Sequence, residues 1–197
     1  MLHKDFQDLF QKPKRLLEEM QEDLALFEAF AQAVGLCRAA LQQGHKLLLA
    51  GNGGSAAEAQ HWAAELVVRF RQENRPALPA IALSTDTSIL TAIGNDFGFP
   101  SLFARQVEAL GQPGDVLLVL TTSGRSSNIL KACQVAQAKK LLILGFTGQG
   151  TPEAFLALCT VCLKIPSVET EHIQEGHMIL GHALCRFLEE TAQRLPS

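Results

Sequence analysis

The sequence predicts an α/β fold, a three-layer αβα sandwich around a five-stranded parallel sheet, and three observations carry that prediction. From Lys46 onward, five short apolar runs are separated by segments of helical periodicity: KLLLA (46–50), LPAIALS (78–84), DVLLVLTT (115–122), LLILGFT (141–147) and TVCLKIP (160–166). Most of these runs are apolar without interruption, as strands buried on both faces are, and the segments between them are long enough to be crossover helices. Finally, 197 residues with 47% hydrophobic and 19% charged content suit one structural domain with a sizeable core.

Ahead of the first run, residues 1–43 read as helix. Leu16, Leu17, Met20, Leu24, Phe27, Phe30, Ala31 and Val34 recur at steps of three and four, with a break expected at Pro13 and a stop at Gly44. Residues 1–44 are therefore expected to form a helical arm, packed in a homo-oligomer or on its own domain, followed by a domain at 45–197. In parallel sheets covered by helices, ligands bind beyond the carboxyl ends of the strands, which directs attention to the loops after Ala50, Ser84, Thr122 and Thr147.

Composition excludes several classes. A net charge of −3 gives no global attraction for nucleic acid or an anionic membrane, so neither is expected as a partner. No uninterrupted apolar run reaches membrane-spanning length. MLHKDFQDLFQKPKR lacks the continuous apolar stretch of a secretory signal, so a cytoplasmic location is expected. The five cysteines (Cys37, Cys133, Cys159, Cys162, Cys185) then read as small buried hydrophobes. Cys159 and Cys162, three apart in an expected strand, should point to opposite faces and make a poor metal or redox clip.

Two loops have the chemistry of anion sites. Gly51-Asn52-Gly53-Gly54-Ser55 precedes an amphipathic helix, with Ser55 and Glu58 expected to form a capping box and the helix N-terminus aimed at the loop. Gly51, Gly53 and Ala56 also fit G-x-G-x-x-A, but no acidic residue follows at a strand end about 20 positions on, which argues against a dinucleotide. The second loop, Thr121-Thr122-Ser123-Gly124-Arg125-Ser126-Ser127-Asn128, sets several hydroxyls and amides before a helix, which suits a phosphate monoester. For any one serine, a simple helix cap is the competing reading.

Two helical segments carry ionisable groups. Four residues advance about 400°, so His61 and Glu65 project from one face, suitable for metal coordination or paired acid/base work. Near the C-terminus, HIQEGHMILGH places Gln174 and His182 on a common face, separated by about 12 Å of rise, while His177 turns about 60° the other way and reads as a core histidine.

GNGGSAAEAQHWAAEL, RPALPAIALSTD, LTAIGNDFGF, GDVLLVLTTSGRS and HIQEGHMILGH occur in that order, and on these motifs the chain resembles the sedoheptulose 7-phosphate (phosphoheptose) isomerases, a family of single sugar isomerase (SIS) domains. The resemblance runs from about Lys46 to the last helix. It implies a homotetramer with active sites between subunits, one zinc per subunit, and conversion of sedoheptulose 7-phosphate to D-glycero-D-manno-heptose 7-phosphate through an enediol, the first step toward ADP-heptose and lipopolysaccharide core heptose. By motif position it implies metal ligands at His61, Glu65, Gln174 and His182, with proton transfers by Glu65 and His182. It puts phosphate on Ser123 and Ser126 beside Thr121 and Thr122, and the sugar against Asn52, Gly53, Ser55, Arg69, Asp96 and Gln174. The chain departs from the family's usual Ser-Thr-Ser-Gly-Asn-Ser in reading TTSGRS, which adds Arg125, and has Glu171 where an Asp is common. Two other classes share the scaffold: a non-catalytic SIS protein that binds the DnaA replication initiator, and a sugar-phosphate sensor. The binding proteins lack the carboxylate of position 65 and the last-helix histidine, both of which this chain carries.

Overall fold

The computed structural model describes residues 2–192; Met1 and the last five residues of the expected 45–197 domain lie outside them. The elements run α1 (Leu2–Asp8), α2 (Gln11–Glu22), α3 (Leu24–Gln42), β1 (Leu47–Gly51), α4 (Gly54–Val67), β2 (Ala80–Ala82) and α5 (Thr87–Phe97). After a 3₁₀ turn at Phe99–Ser101 come α6 (Leu102–Leu110), β3 (Val116–Leu120), α7 (Ser127–Ala138), β4 (Leu142–Gly148), α8 (Glu153–Leu156), β5 (Val161–Ile165) and α9 (Thr170–Glu189). All five expected strands form, pair in parallel and lie in the order β2-β1-β3-β4-β5.

The sheet separates two cores. Leu47, Leu49, Val116, Leu118, Leu120 and Phe146 face α3, α4 and α9. Leu48, Ala50, Leu117, Val119 and Ile143 face α6, α7 and Phe155 of α8. Every residue of β1 and β3 is buried, as their unbroken apolar runs predict. At the edge, β5 alternates instead, with Val161, Leu163 and Ile165 buried and Lys164 exposed.

The N-terminal helices differ from the expected single run. The first break falls at Leu9–Phe10, and Pro13 sits inside the first turn of α2, where a missing N–H costs nothing. A second break falls at Asp23, whose Oδ1 accepts the Leu26 N–H at 3.0 Å and starts α3. The stop at Gly44 is as expected, with φ +80°. By length and mean hydropathy (1.5) α3 could cross a membrane, yet its Leu26, Ala33, Val34, Cys37, Ala40 and Leu41 are in the core.

The cysteine pair also differs. Only Cys162 belongs to β5; Cys159 lies in the preceding turn, where its Sγ donates to the Phe155 carbonyl at 3.5 Å. Both sulfurs therefore reach the same place: a Cβ on Gly145 would lie 2.8 Å from Cys159 Sγ and 3.2 Å from Cys162 Sγ. The alternation that would separate them holds only within a strand.

Two contacts set the frame. At the amino end of the sheet, buried Asp115 accepts the Lys46 N–H (3.0 Å), the Lys46 ammonium (2.6 Å) and the Gln112 N–H (2.8 Å), joining the start of β1 to the start of β3. Burial pushes this carboxyl's pKa up, but the Lys46 ammonium and the N–H groups of Lys46 and Gln112 together outweigh it and hold it below the ordinary value. Between α4 and α9, Gly181 meets the indole of Trp62 so closely that any Cβ would overlap it. Gly181→Ala is expected to cost about 1–3 kcal/mol of stability by overpacking, read as a lower urea midpoint. Asp115→Asn is expected to cost about 1–3 kcal/mol at neutral pH. Because the folded pKa is depressed, the Asp115 contribution is complete above the usual carboxylate pKa near ~4 and is lost as pH falls through the folded value. The two urea midpoints should therefore converge on acidification; a constant gap would contradict the assignment.

Candidate functional site

In this strand order the connections leave in opposite directions from β1 and β3, so a crevice opens at the carboxyl ends of those two strands. Both loops singled out in the sequence flank it. The first turns at Gly53 (φ +56°), a conformation that strains residues with a Cβ, and α4 begins at Gly54. The expected Ser55–Glu58 capping box is absent: the cap position is Gly53, no side chain closes the helix start, and Ser55 is already its second residue. Backbone carbonyls close the first turn: the Ser55 N–H donates to Asn52 at 3.0 Å, and those of Ala56 and Ala57 donate to Gly53 at 3.0 and 3.3 Å. Glu58 is instead buried one turn further on, with Oε2 3.8 Å from His177 Nδ1.

The second loop is shaped by Thr121, whose Oγ1 accepts the Gly124 N–H at 3.2 Å, and by Gly124 itself, at φ +64° against Thr151 and Phe155. Ser123 Oγ accepts the Arg125 N–H at 3.3 Å, and Arg125 is exposed. Ser126 occupies the cap position of α7, but its hydroxyl makes no capping bond. Side-chain capping therefore does not account for that serine, which serves the helix start only through its carbonyl, accepting the Leu130 N–H at 3.0 Å. The two loops are tied together by a reciprocal amide pair: Asn52 Nδ2 donates to Asn128 Oδ1 (2.9 Å) and Asn128 Nδ2 donates to Asn52 Oδ1 (2.8 Å).

On the same side of the sheet as the first loop's helix, α4 and α9 bring the ionisable groups together. His61 Nε2 lies 2.9 Å from His182 Nε2, and the rings meet edge to face with centroids 5.1 Å apart. His61 Nε2 is also 3.7 Å from Glu65 Oε1, one turn along α4. Two imidazole nitrogens and a carboxylate oxygen are donors of the type a divalent transition metal takes, with His61 Nε2 as their common neighbour. The three are not all within 4.8 Å of one another, so Glu65 must swing toward His182 to complete the set. Gln174 is placed differently: its amide packs on Gly54, where a Cβ would lie 2.6 Å from Nε2. It faces the crevice loop, about two helical turns below the histidine pair. His177 is the core histidine expected, fully buried, edge-on to the Phe146 ring, with Nε2 3.3 Å from the Thr147 carbonyl.

Sequence reasoning missed the segment that leaves α4. Buried Glu189, on α9, accepts the backbone N–H groups of Phe70, Arg71 and Gln72, each at 3.0 Å, and the Arg75 Nε at 3.1 Å. Burial pushes the Glu189 pKa up, but the Gln72, Phe70 and Arg71 amides and the Arg75 guanidinium outweigh it and hold it low. Arg75 Nη2 also donates to the Glu65 carbonyl at 2.6 Å. The available signal was an acidic residue in an otherwise apolar helix face, but its partners lie more than 110 positions away.

Two expected sugar contacts make their polar contacts away from the cluster. Arg69 is exposed and pairs with Glu73 at 3.0 Å, and Asp96 lies on α5, where it accepts from Asn95 Nδ2 at 2.7 Å. A separate group, Glu169, Glu171 and His172, offers ligand atoms all within 4.8 Å of one another, outside the expected metal set. There the Lys12 ammonium sits 2.9 Å from Glu169, supplying the positive charge.

Comparison with known proteins bears on the family and the fold. The family model described as SIS domain matches residues 8–148. The phosphoheptose isomerase of Burkholderia pseudomallei is 51% identical over 178 residues, covering 90% of this chain and 89% of that protein. That of Aquifex aeolicus is 50% identical over 188 residues, covering 92% and 97%. Among solved structures, the phosphoheptose isomerase of Neisseria gonorrhoeae superposes with a TM-score of 0.87 at 39% identity, covering 96% of this chain and all of that one. The Francisella tularensis phosphoheptose isomerase gives 0.90 at 36% identity, covering 96% and 99%.

Because the Ser126 side chain does not cap α7, Ser126→Ala should change stability by less than the ~1 kcal/mol typical of a lost cap, measured by thermal or urea unfolding. A full loss of that size would show that the hydroxyl serves the helix.

Proposed function

We propose a mechanism from one premise: the chain belongs to the SIS domain family and is an aldose–ketose isomerase acting on sedoheptulose 7-phosphate, yielding D-glycero-D-manno-heptose 7-phosphate. The observation that carries the assignment of roles is the meeting of His61 from α4 with His182 from α9 at 2.9 Å, with Glu65 one turn along α4 at 3.7 Å from His61, beside loops built for an anion. The conversion requires a proton to leave C1, an enediol to form, and a proton to arrive at C2, while a second proton passes between the two oxygens.

Glu65 is the base that takes the C1 proton and returns it to C2. His182 serves the oxygens, giving a proton to O2 as O1 loses its own. The phosphate is held by Ser123, Ser126, Thr121 and Thr122 with the N-terminus of α7, so that binding remote from the reacting carbons fixes their position. Asn52, Gly53 and Ser55 line the sugar, joined by Gln174 from α9 and by Arg69 and Asp96. His61, Glu65 and His182 would hold one zinc per subunit, with Gln174 as fourth donor once its amide leaves Gly54; bound there, the ion would supply Lewis-acid stabilisation of negative charge on the sugar oxygens.

The working form is a homotetramer with active sites between subunits. Support comes from the apolar side chains that α1–α3 leave exposed, among them Phe6, Phe10, Leu24 and Phe27. Burying such a face against another copy is favourable, and it gives the 1–44 arm a role in assembly. The 45–197 unit then carries the chemistry. Neither nucleic acid nor a membrane is a partner, and the enzyme works in the cytoplasm, at the first step toward ADP-heptose.

Glu65→Gln is expected to lower turnover about 10²–10⁴-fold with fold and sugar-phosphate binding retained. The assay follows sedoheptulose 7-phosphate by NMR, with and without chelator. Undiminished turnover of the variant would remove Glu65 from the mechanism. Binding without conversion by the unmodified protein would identify a sensor.

A further inference from the structure

We infer that Phe70 is a positioning residue for His182, holding its imidazole in the orientation that presents Nε2 to His61. The inference rests on the role given to His182 above. The Phe70 ring lies nearly parallel to that imidazole, with an interplanar angle of 18° and centroids 5.6 Å apart. His61 meets the same imidazole edge to face at 73°. His182 is thus contacted by a flat surface along one face and by a nitrogen at its Nε2, an arrangement that restricts rotation about the side-chain torsions.

Phe70 can act in this way because its backbone is fixed from α9 itself. Glu189, seven residues beyond His182 on the same helix, accepts the Phe70, Arg71 and Gln72 N–H groups at 3.0 Å. The ion pair that completes this anchor, Arg75 with Glu189 at 3.1 Å, is almost entirely buried, its side chains 1% and 2% exposed. The segment that carries Phe70 is therefore referenced to the helix that carries His182, not merely draped over it. Arg75 extends the frame to α4 through the Glu65 carbonyl at 2.6 Å. One buried pair consequently registers the ends of both helices that supply the converging groups. Arg71, with its guanidinium carbon 5.6 Å from the Phe70 ring centroid, adds a cation–π contact to the ring.

A side chain that orients a ligand without touching substrate should affect turnover and metal affinity together, while leaving substrate affinity alone. Phe70→Leu keeps apolar bulk but removes the flat face; Phe70→Tyr keeps the face. In the full-length protein, F70L is expected to lower kcat about tenfold and to weaken zinc binding about tenfold, the latter measured by chelator competition on metal-stripped protein. KM and the thermal midpoint should stay near the unmodified values, and F70Y should restore both losses. Phe70→Met serves in the same comparison if F70L does not fold. Unchanged kcat and zinc affinity in F70L, or equal impairment in F70Y, would overturn the inference. His182→Asn separates the two levels: turnover retained in that variant would sink the role of His182 itself, whereas loss there with a neutral F70L would sink only the role of Phe70.

Discussion

The approach of α9 to α4 at Gly181 and Trp62 is the constraint on which the rest of the structure depends. The absence of a side chain at position 181 lets the indole lie against the α9 backbone, and Trp62 is in turn packed edge-on against Phe146 of β4. Residues next to this contact in sequence, His61 on one helix and His182 on the other, are thereby forced to meet. Their 2.9 Å separation is a packing result before it is a chemical one. The same closeness makes the site sensitive, because protein interiors transmit small displacements instead of absorbing them.

Two buried carboxylates stabilise opposite parts of this frame by the same physics. Asp115 ties strand starts at the amino end of the sheet, and Glu189 gathers three consecutive amides beside the histidine pair. Each is held ionised because the donors around it outweigh the cost of burial. Glu58 and His177 also lie buried side by side, 3.8 Å apart and without a hydrogen bond between them, on the same two helices that bear His61 and His182. Polar groups thus sit at the seams between elements, and the faces of β1 and β3 are left wholly apolar.

The anion loops were legible in the sequence for reasons that are local. Glycine at 53 and 124 meets backbone conformations that other residues adopt only under strain, and both positions do carry positive φ. The details within the loops were less legible. A serine followed three residues later by a glutamate has the spacing of a capping box, yet Gly53 starts α4 earlier, and Glu58 is drawn instead to a histidine more than 110 residues away. Pro13 failed as a helix breaker because it falls in a first turn, where proline is tolerated. The Cys159–Cys162 spacing misled for a related reason, since alternation across a sheet applies only once the strand has begun.

By itself the sequence determined the layer architecture, the five strands, the two crevice loops and the faces on which His61, Glu65, Gln174 and His182 lie. All of these follow from periodicity and backbone preference over a few neighbouring residues. Tertiary structure alone decided which of those faces meet. It brought His182 to His61 but set Gln174 against Gly54, because two residues on one helical stripe remain separated along the axis. It also decided that Phe70 stacks on His182 and that Glu189 fixes the segment carrying it. Such partners are distant in the chain and share no local pattern, so only the packing of one helix on another selects them.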